Sequence, residues 1–159
     1  MAEPNIILLG SGGHAVVLLD VMRSIGTMPT CIADPGRERG PTDFYNLPCI
    51  GDDTAVFDRN PADVILVNGI GSISRPRQRR AVYERFRERG YHFLKLVHPA
   101  AYVSEFAEVG DGAQIMAGCV IQPHAMVGEN AIINTRASID HHSIIGAHTH
   151  IAPGVTVCG

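Results

Sequence analysis

The sequence predicts two folds in one chain: an α/β N-terminal half built on a small Rossmann-like parallel sheet, then a left-handed parallel β-helix. Three observations predict this. Apolar strand patterns alternate with helical ones up to residue 95, a glycine turn follows the first strand, and from Val97 onward a branched aliphatic residue returns at every sixth position. The expected domains are therefore residues 1–95 and 96–159. At 45% hydrophobic and only 18% charged, each can bury a core rather than remain disordered.

The first element is "NIILLG" (Asn5 to Gly10), a short apolar run closed by glycine. The pattern then turns helical, with Val17, Leu18, Val21 and Ile25 expected to share a face. "TCIAD" (Thr30 to Asp34) reads as a second strand ending in a carboxylate, and "DVILVNGIG" (Asp63 to Gly71) as a fully apolar one. A basic run, "RPRQRRAVYERFRER" (Arg75 to Arg89), carries Val82 and Phe86 at helical spacing, with Gln78 or Arg79 one turn back. That pattern is read as a helix with a solvated face rather than a phosphate-binding patch. "HFLKLV" (His92 to Val97) completes the alternation, and strands alternating with helices imply a small parallel sheet.

Gly10, Gly12 and Ala15 fit the pattern G-x-G-x-x-[GA], and Asp34 ends the next strand. Glycines let a backbone approach a ligand closely, and the N–H groups opening a helix favour an anion. Ninety-five residues, however, make about half of a doubly wound dinucleotide domain, and no hydride-acceptor domain follows. A nucleotide-bearing ligand other than NAD is the favoured reading, with a purely structural glycine turn as the alternative.

The ladder in the second half runs Val97, Val103, Val109, Ile115, Ile121, Val127, Ile133, Ile139, Ile145, Ile151 and Val157. Small or modest residues follow each by four positions, among them Ala113, Cys119, Ala125, Ala131, Ala137 and Ser143. Gly110, Gly128 and Gly146 recur at a spacing of 18. Six residues suffice for one short flat strand and a corner, and three such sides close a triangular coil of 18 residues. The chain stops in mid-repeat at "VTVCG", so residue 159 is expected to be a truncation point, or the open end to be covered by something outside this chain.

A formal net charge of −3 gives no electrostatic reason to expect nucleic acid. Cys31, Cys49, Cys119 and Cys158 form no CxxC pair, which argues against a zinc site and a disulfide scaffold. With no signal-peptide pattern and no apolar run near the ~20 residues of a membrane span, a cytoplasmic protein is expected.

Together, "GSGGHA", "IAD", "VNGIGS", "HPAAYVS" and "NTRASIDHHSIIGAHTHIAPG" resemble the bacterial hexapeptide-repeat sugar acyltransferases, a group that includes nucleotide-aminosugar N-acetyltransferases and sialic acid O-acetyltransferases. The resemblance implies acetyl-CoA as co-substrate, a homotrimer with active sites between neighbouring chains, and a nucleotide sugar bound by the N-terminal domain. Matched residue by residue, it implies acceptor binding by Gly12, Gly13, His14, Asp34 and Gly71, a general base at His141, and a CoA contact at His150. Further CoA contacts of the family fall beyond residue 159. In the family an acidic residue often follows the base; here that position is His142, while Asp140 precedes it. An imidazole supplies no fixed negative charge at neutral pH, so either Asp140 or a group from another chain is expected to orient His141, or the base is weaker than usual.

Acyl transfer from a thioester needs a nucleophile that loses its proton at attack, and histidine is suited to take it near neutrality. An acyl-enzyme is not required, because the thioester is already activated. His141 is thus the expected base, weighed against a corner histidine merely stacked on the coil. His142 lies 18 residues after His124, hence one coil above it, but no third ligand accompanies the pair and no metal is expected. His148 is read as a surface residue, His14 as an acceptor contact or a helix cap, and Asn134 and Asp140 as site residues or ladder residues satisfying turn backbone. The resulting expectation is N-acetylation of a nucleotide-linked amino sugar for a surface glycan. The alternatives are O-acetylation of sialic acid or another glycan hydroxyl, and a non-catalytic trimeric assembly subunit.

Overall fold

The computed structural model describes residues 5–72 and 76–159. Arg75, the first residue of the basic run, lies outside them. The chain divides into two compact units, Met1–Asp20 with Thr27–Phe93 and Val21–Gly26 with Leu94–Gly159.

The first unit is built on a parallel sheet. Its strands are β1 (Asn5–Leu9), β2 (Cys31–Ala33), β3 (Val64–Asn68) and β4 (His92–Phe93), in the order β2-β1-β3-β4. Helix α1 (Gly13–Ser24) follows β1; α2 (Asp53–Phe57) and a 3₁₀ turn at Pro61–Asp63 precede β3; α3 (Pro76–Arg87) joins β3 to β4. Alternation along β1 sends Ile7 and Leu9 to one face, where they join Val56, Leu66, Val82, Tyr83, Phe86 and Phe93 in a single core. Asp52 caps α2, its side chain accepting from the Thr54 amide at 3.0 Å.

Two sequence readings are corrected here. The buried positions of α1 are Ala15, Leu18, Leu19, Val21 and Met22, whereas Val17 and Ile25 are exposed. The run "AVVLLDVM" offers two apolar stripes, and a pattern alone does not say which one meets the interior. In α3, Arg79 lies on the buried face, only 1% exposed. Its Nη1 donates to the carbonyls of Asn68 at 2.9 Å and Ile70 at 2.8 Å, and Asn68 Nδ2 donates back to the Arg79 carbonyl at 3.2 Å. Burial pulls the Arg79 guanidinium down to about 9, and the two carbonyl acceptors favour its charged form. The guanidinium thereby holds the loop leaving β3, which carries "GIG".

"HFLKLV" divides between the units: His92–Phe93 ends the sheet, and β5 (Leu96–Val97) opens the coil. Eleven two-residue strands follow one another at six-residue intervals and stack in three parallel ladders. One ladder holds β5, β8 (Gln114–Ile115), β11 (Ile132–Ile133) and β14 (His150–Ile151). The second holds β6 (Tyr102–Val103), β9 (Val120–Ile121), β12 (Ser138–Ile139) and β15 (Thr156–Val157). The third holds β7 (Glu108–Val109), β10 (Met126–Val127) and β13 (Ile144–Ile145). Partners are offset by 18 residues, as in Ile115↔Ile133↔Ile151. The architecture fits a left-handed β-helix. Every aliphatic residue of the sixfold series is the second residue of a strand, and those from Ile115 to Ile145 are buried, while both ends of the series are half-buried.

The glycines spaced by 18 have a steric cause. A Cβ on Gly128 would stand 2.5 Å from the Ala147 amide nitrogen of the next coil, and one on Gly110 2.7 Å from that of Glu129. Gly128→Ala is therefore expected to cost about 1–3 kcal/mol, read as a lowered urea midpoint. A parent-like midpoint in a folded Gly128→Ala variant would contradict the overlay.

Candidate functional site

In the first unit the turn after β1 is shaped by charge and by space. Gly10 has φ +84°, a left-handed conformation open to glycine, and its amide donates to the Ala33 carbonyl at 2.8 Å. Ser11 Oγ donates to Asp34 Oδ2 at 2.6 Å, and the Gly36 amide donates to Asp34 Oδ1 at 2.8 Å. Asp34 thus pins the turn to the end of β2. A Cβ added at Gly12 or Gly13 would meet nothing within 4 Å, so both glycines face open space at the start of α1. Gly71 adjoins His14, since a Cβ there would lie 3.4 Å from His14 Cβ. Gly71 and His14 are thus neighbours although 57 residues separate them (71 − 14 = 57).

Gly12 and Gly13 line a cleft of about 440 Å³ together with Ser11 and Val16, a volume within the range of small-molecule sites. Its opposite wall is Arg37, Asp43, Phe44 and Tyr45, none of which the sequence singled out. Arg37 is the link: Nε donates to Ser11 Oγ at 2.7 Å, Nη1 donates to Asp43 Oδ1 at 2.7 Å, and the guanidinium lies 5.4 Å from the Phe44 ring centroid. The Arg37 hydrogen bond holds the Asp43 carboxyl below the usual carboxylate range. Tyr45 and Asn46 are both left-handed, φ 52° and 58°. A bulky side chain in that region is uncommon, and such conformations gather at ligand clamps. The loop lacks periodicity, so only the proximity of Arg37 to Asp34 in sequence could have hinted at it.

In the second unit a second sixfold series governs the histidines. Gly112, Gly118, His124, Asn130, Arg136, His142, His148 and Gly154 all have positive φ, between 54° and 70°. Each is a corner of the coil. Asn and His tolerate this conformation better than most side chains, which accounts for three of the histidines as corner residues. His148 and Asn130 occupy one corner column, with Asn130 Nδ2 3.0 Å from His148 Nδ1. Phe106, His124 and His142 occupy another, with ring centroids 5.9 Å apart for the first pair and 5.1 Å for the second.

His141 precedes the corner at His142 and is exposed. Asp140 Oδ1 accepts from the His141 backbone amide at 2.8 Å, so that carboxylate oxygen braces the turn. The imidazole instead meets its neighbour: His141 Nδ1 is 3.2 Å from His142 Nδ1. One coil above, Gly159 closes on the same ring; a Cβ there would lie 3.0 Å from His141 Nδ1. Gly159 was missed by the sequence reading, although its position 18 residues after His141 was available. Asn134 and His150 pair with each other, Asn134 Nδ2 standing 3.1 Å from His150 Nε2. Asn134 follows β11 and His150 lies in β14, stacked over Ile132 on the side that β11 and β14 share, whereas His141 and His142 lie on the corner between β12 and β13. The expected residues of this unit therefore form two pairs at different places around the coil, one beside β11 and β14 and the other at the corner after β12. Among the described residues no group of three or more His, Cys, Asp or Glu could hold a metal ion, and no helix is long and apolar enough to cross a membrane.

Residues 106–139 match the bacterial transferase hexapeptide (six repeats) family. PerB from Caulobacter crescentus, solved in complex with CoA and GDP-perosamine, is 31% identical with a TM-score of 0.87, over 99% of this chain and 73% of that one. A histidine-to-asparagine mutant of perosamine N-acetyltransferase from the same organism, also with CoA and GDP-perosamine, is 30% identical with a TM-score of 0.88 over the same shares. The acetyltransferase domain of PglB from Neisseria gonorrhoeae, in complex with acetyl coenzyme A, is 28% identical with a TM-score of 0.83, over 97% of this chain and 73% of that one. No curated protein matches the chain by sequence.

Proposed function

The chain belongs to the hexapeptide-repeat sugar acetyltransferases, and from that premise we propose that it moves the acetyl group of acetyl-CoA onto the amine of a nucleotide-linked sugar. The carrying observation is the match over 99% of the chain to a structure that holds both CoA and GDP-perosamine.

In this reading residues 1–95 are a Rossmann-like nucleotide-sugar-binding domain. The diphosphate lies against the open backbone of Gly12 and Gly13 at the start of α1, where the helix dipole favours an anion. Arg37 adds a fixed positive charge at the cleft wall, and the Tyr45 ring offers a face for the base. His14, Asp34 and Gly71 shape the turn and its neighbour loop around the acceptor. Residues 96–159 carry the transfer. His141 is the base, with Nε2 taking a proton as the amine lone pair attacks the thioester carbon. A C–N bond forms, the C–S bond breaks, and the proton passes to the departing thiolate. His150, steadied by Asn134, contacts CoA. The two pairs lie at different places around the coil, which suits a homotrimer in which a neighbouring chain completes each site. No metal is invoked. Because two of the similar proteins are sugar N-acetyltransferases by name or bind an amino sugar, N-acetylation is favoured over O-acetylation.

Thiol release from acetyl-CoA is the direct test, with GDP- and UDP-linked amino sugars, free sialic acid and polymeric sialic acid as acceptors. Release with a nucleotide amino sugar and none with sialic acid is expected. Release with sialic acid alone would convert the reading to O-acetylation, and none with any acceptor would favour an assembly role.

A further inference from the structure

We propose that His142 is a positioning residue that fixes the tautomer of His141: its Nδ1 accepts the Nδ1–H of His141 and leaves His141 Nε2 bare for the reaction. This rests on the reading of His141 as the base.

The argument starts from one distance. Two imidazole nitrogens 3.2 Å apart, His141 Nδ1 and His142 Nδ1, share a hydrogen bond when one carries a proton and the other a lone pair. Two protons would put N–H against N–H, and none would set two lone pairs face to face. The neutral pair therefore has two polarities. If His142 donates, His141 Nδ1 is the acceptor and its proton sits on Nε2, so the outward nitrogen cannot receive another. If His141 donates, Nε2 is free. Only this second polarity survives turnover. When Nε2 picks up a proton, His141 becomes an imidazolium that still donates from Nδ1, and His142 Nδ1 still accepts. In the opposite polarity, protonation of His141 would drive two N–H groups together.

The surroundings hold this arrangement. His142 sits in the left-handed corner conformation, φ 61°, and its ring stacks on His124, which itself follows Phe106 in the column. The His141 and His142 rings meet edge-on, interplanar angle 81° with centroids 5.3 Å apart, an orientation that lets the two ring nitrogens meet. Asp140 is the carboxylate nearest in sequence, and the oxygen that bonds here goes to the backbone amide. Orienting the base through its second nitrogen is a general device; here a neutral imidazole takes the place of a carboxylate.

The test separates acceptor from packing. His142→Phe keeps a ring to stack on His124 but has no acceptor; His142→Glu supplies an acceptor without the ring. We expect His142→Phe to lower kcat by about 10- to 100-fold with KM for both substrates unchanged, and His142→Glu to recover most of that loss. Nitrogen-15 NMR of the imidazoles gives the second readout: His141 carries its proton on Nδ1 in the parent, and in His142→Phe the Nε2–H form grows. Melting temperature confirms that each variant is folded, with His142→Asn as a further acceptor-bearing variant. Parent-like kcat in His142→Phe, or no recovery in either acceptor variant, overturns the proposal. His141→Ala separates the two readings: if it is inactive while His142→Phe is fully active, only the tautomer proposal falls, and if it is fully active the base reading falls as well.

Discussion

His141→Ala is expected to lower kcat for acetyl transfer by about 10²- to 10⁴-fold while leaving KM and the melting temperature near those of the parent. The first half of this expectation comes from chemistry. An amine attacking a thioester must shed a proton, and a positioned imidazole removes it at the moment of bond formation; water, the substitute, is far weaker as a base. The second half comes from the structure. His141 is exposed at a corner, outside the aliphatic stack, and its ring contacts are His142 and the overlying Gly159. Removing an exposed side chain of this kind shifts stability by about 0.5 kcal/mol or less. A steady-state assay beside a thermal melt checks both halves. Parent-like turnover in a folded variant would remove His141 from the reaction, and a large fall in melting temperature would show that the residue is structural.

Ile133→Ala is expected to cost about 2–5 kcal/mol, the largest stability loss of any prediction made for the coil. Ile133 is fully buried in β11, with Ile115 below it and Ile151 above it in the same ladder. Truncation leaves a hole between two rungs that are held at fixed spacing by backbone hydrogen bonds, so little of it can close. Val103→Ala, half-buried in β6, removes fewer atoms from a less enclosed site and is expected to cost under about 1.5 kcal/mol. In a solenoid each rung is stabilised chiefly by its neighbours, which is why position along the ladder sets the penalty. Urea denaturation of the two variants gives the comparison. Equal losses at 133 and 103 would contradict a stack whose fully buried rungs are better packed than its half-buried ones.

Much of this was legible in advance because a solenoid writes its geometry in a period. The sixfold aliphatic series named every strand of the coil, and the 18-residue offset named the stacked partners, since each rung contacts only the rungs beside it. The corner histidines were half legible. The spacing of His124 and His142 showed that they stack, but their left-handed backbone, shared with Asn130, Arg136 and His148, emerged only from the fold. The family resemblance marked His141 and left its orienting group open. Asp140 Oδ1, on one candidate for that task, accepts from the His141 backbone amide, and the imidazole at the position of the expected acid lies 3.2 Å from His141 Nδ1.

The first unit was harder to read. Alternating strands and helices announced the sheet, yet Val17 and Ile25, expected to share the face of Leu18 and Val21, are exposed, while the basic helix keeps its expected solvated face and buries Arg79 in line with Val82 and Phe86. A one-dimensional pattern ranks apolar stripes by composition. Which stripe is buried depends on what stands opposite, and a guanidinium can be buried when carbonyls at the end of another strand meet it. The cleft wall at Arg37, Asp43, Phe44 and Tyr45 carries no period at all, because an irregular loop is positioned by contacts distant in sequence.

By itself, then, the sequence determined the order of the two folds, the triangular repeat and which aliphatic side chains fill it, since those follow from local periodicity and a single recurring contact. Only the tertiary structure decided which nitrogen His141 presents to His142, that Asn134 meets His150, and which residues line the cleft with Gly12 and Gly13. Those are matters of direction and distance between segments, and they exist only after the chain has folded back upon itself.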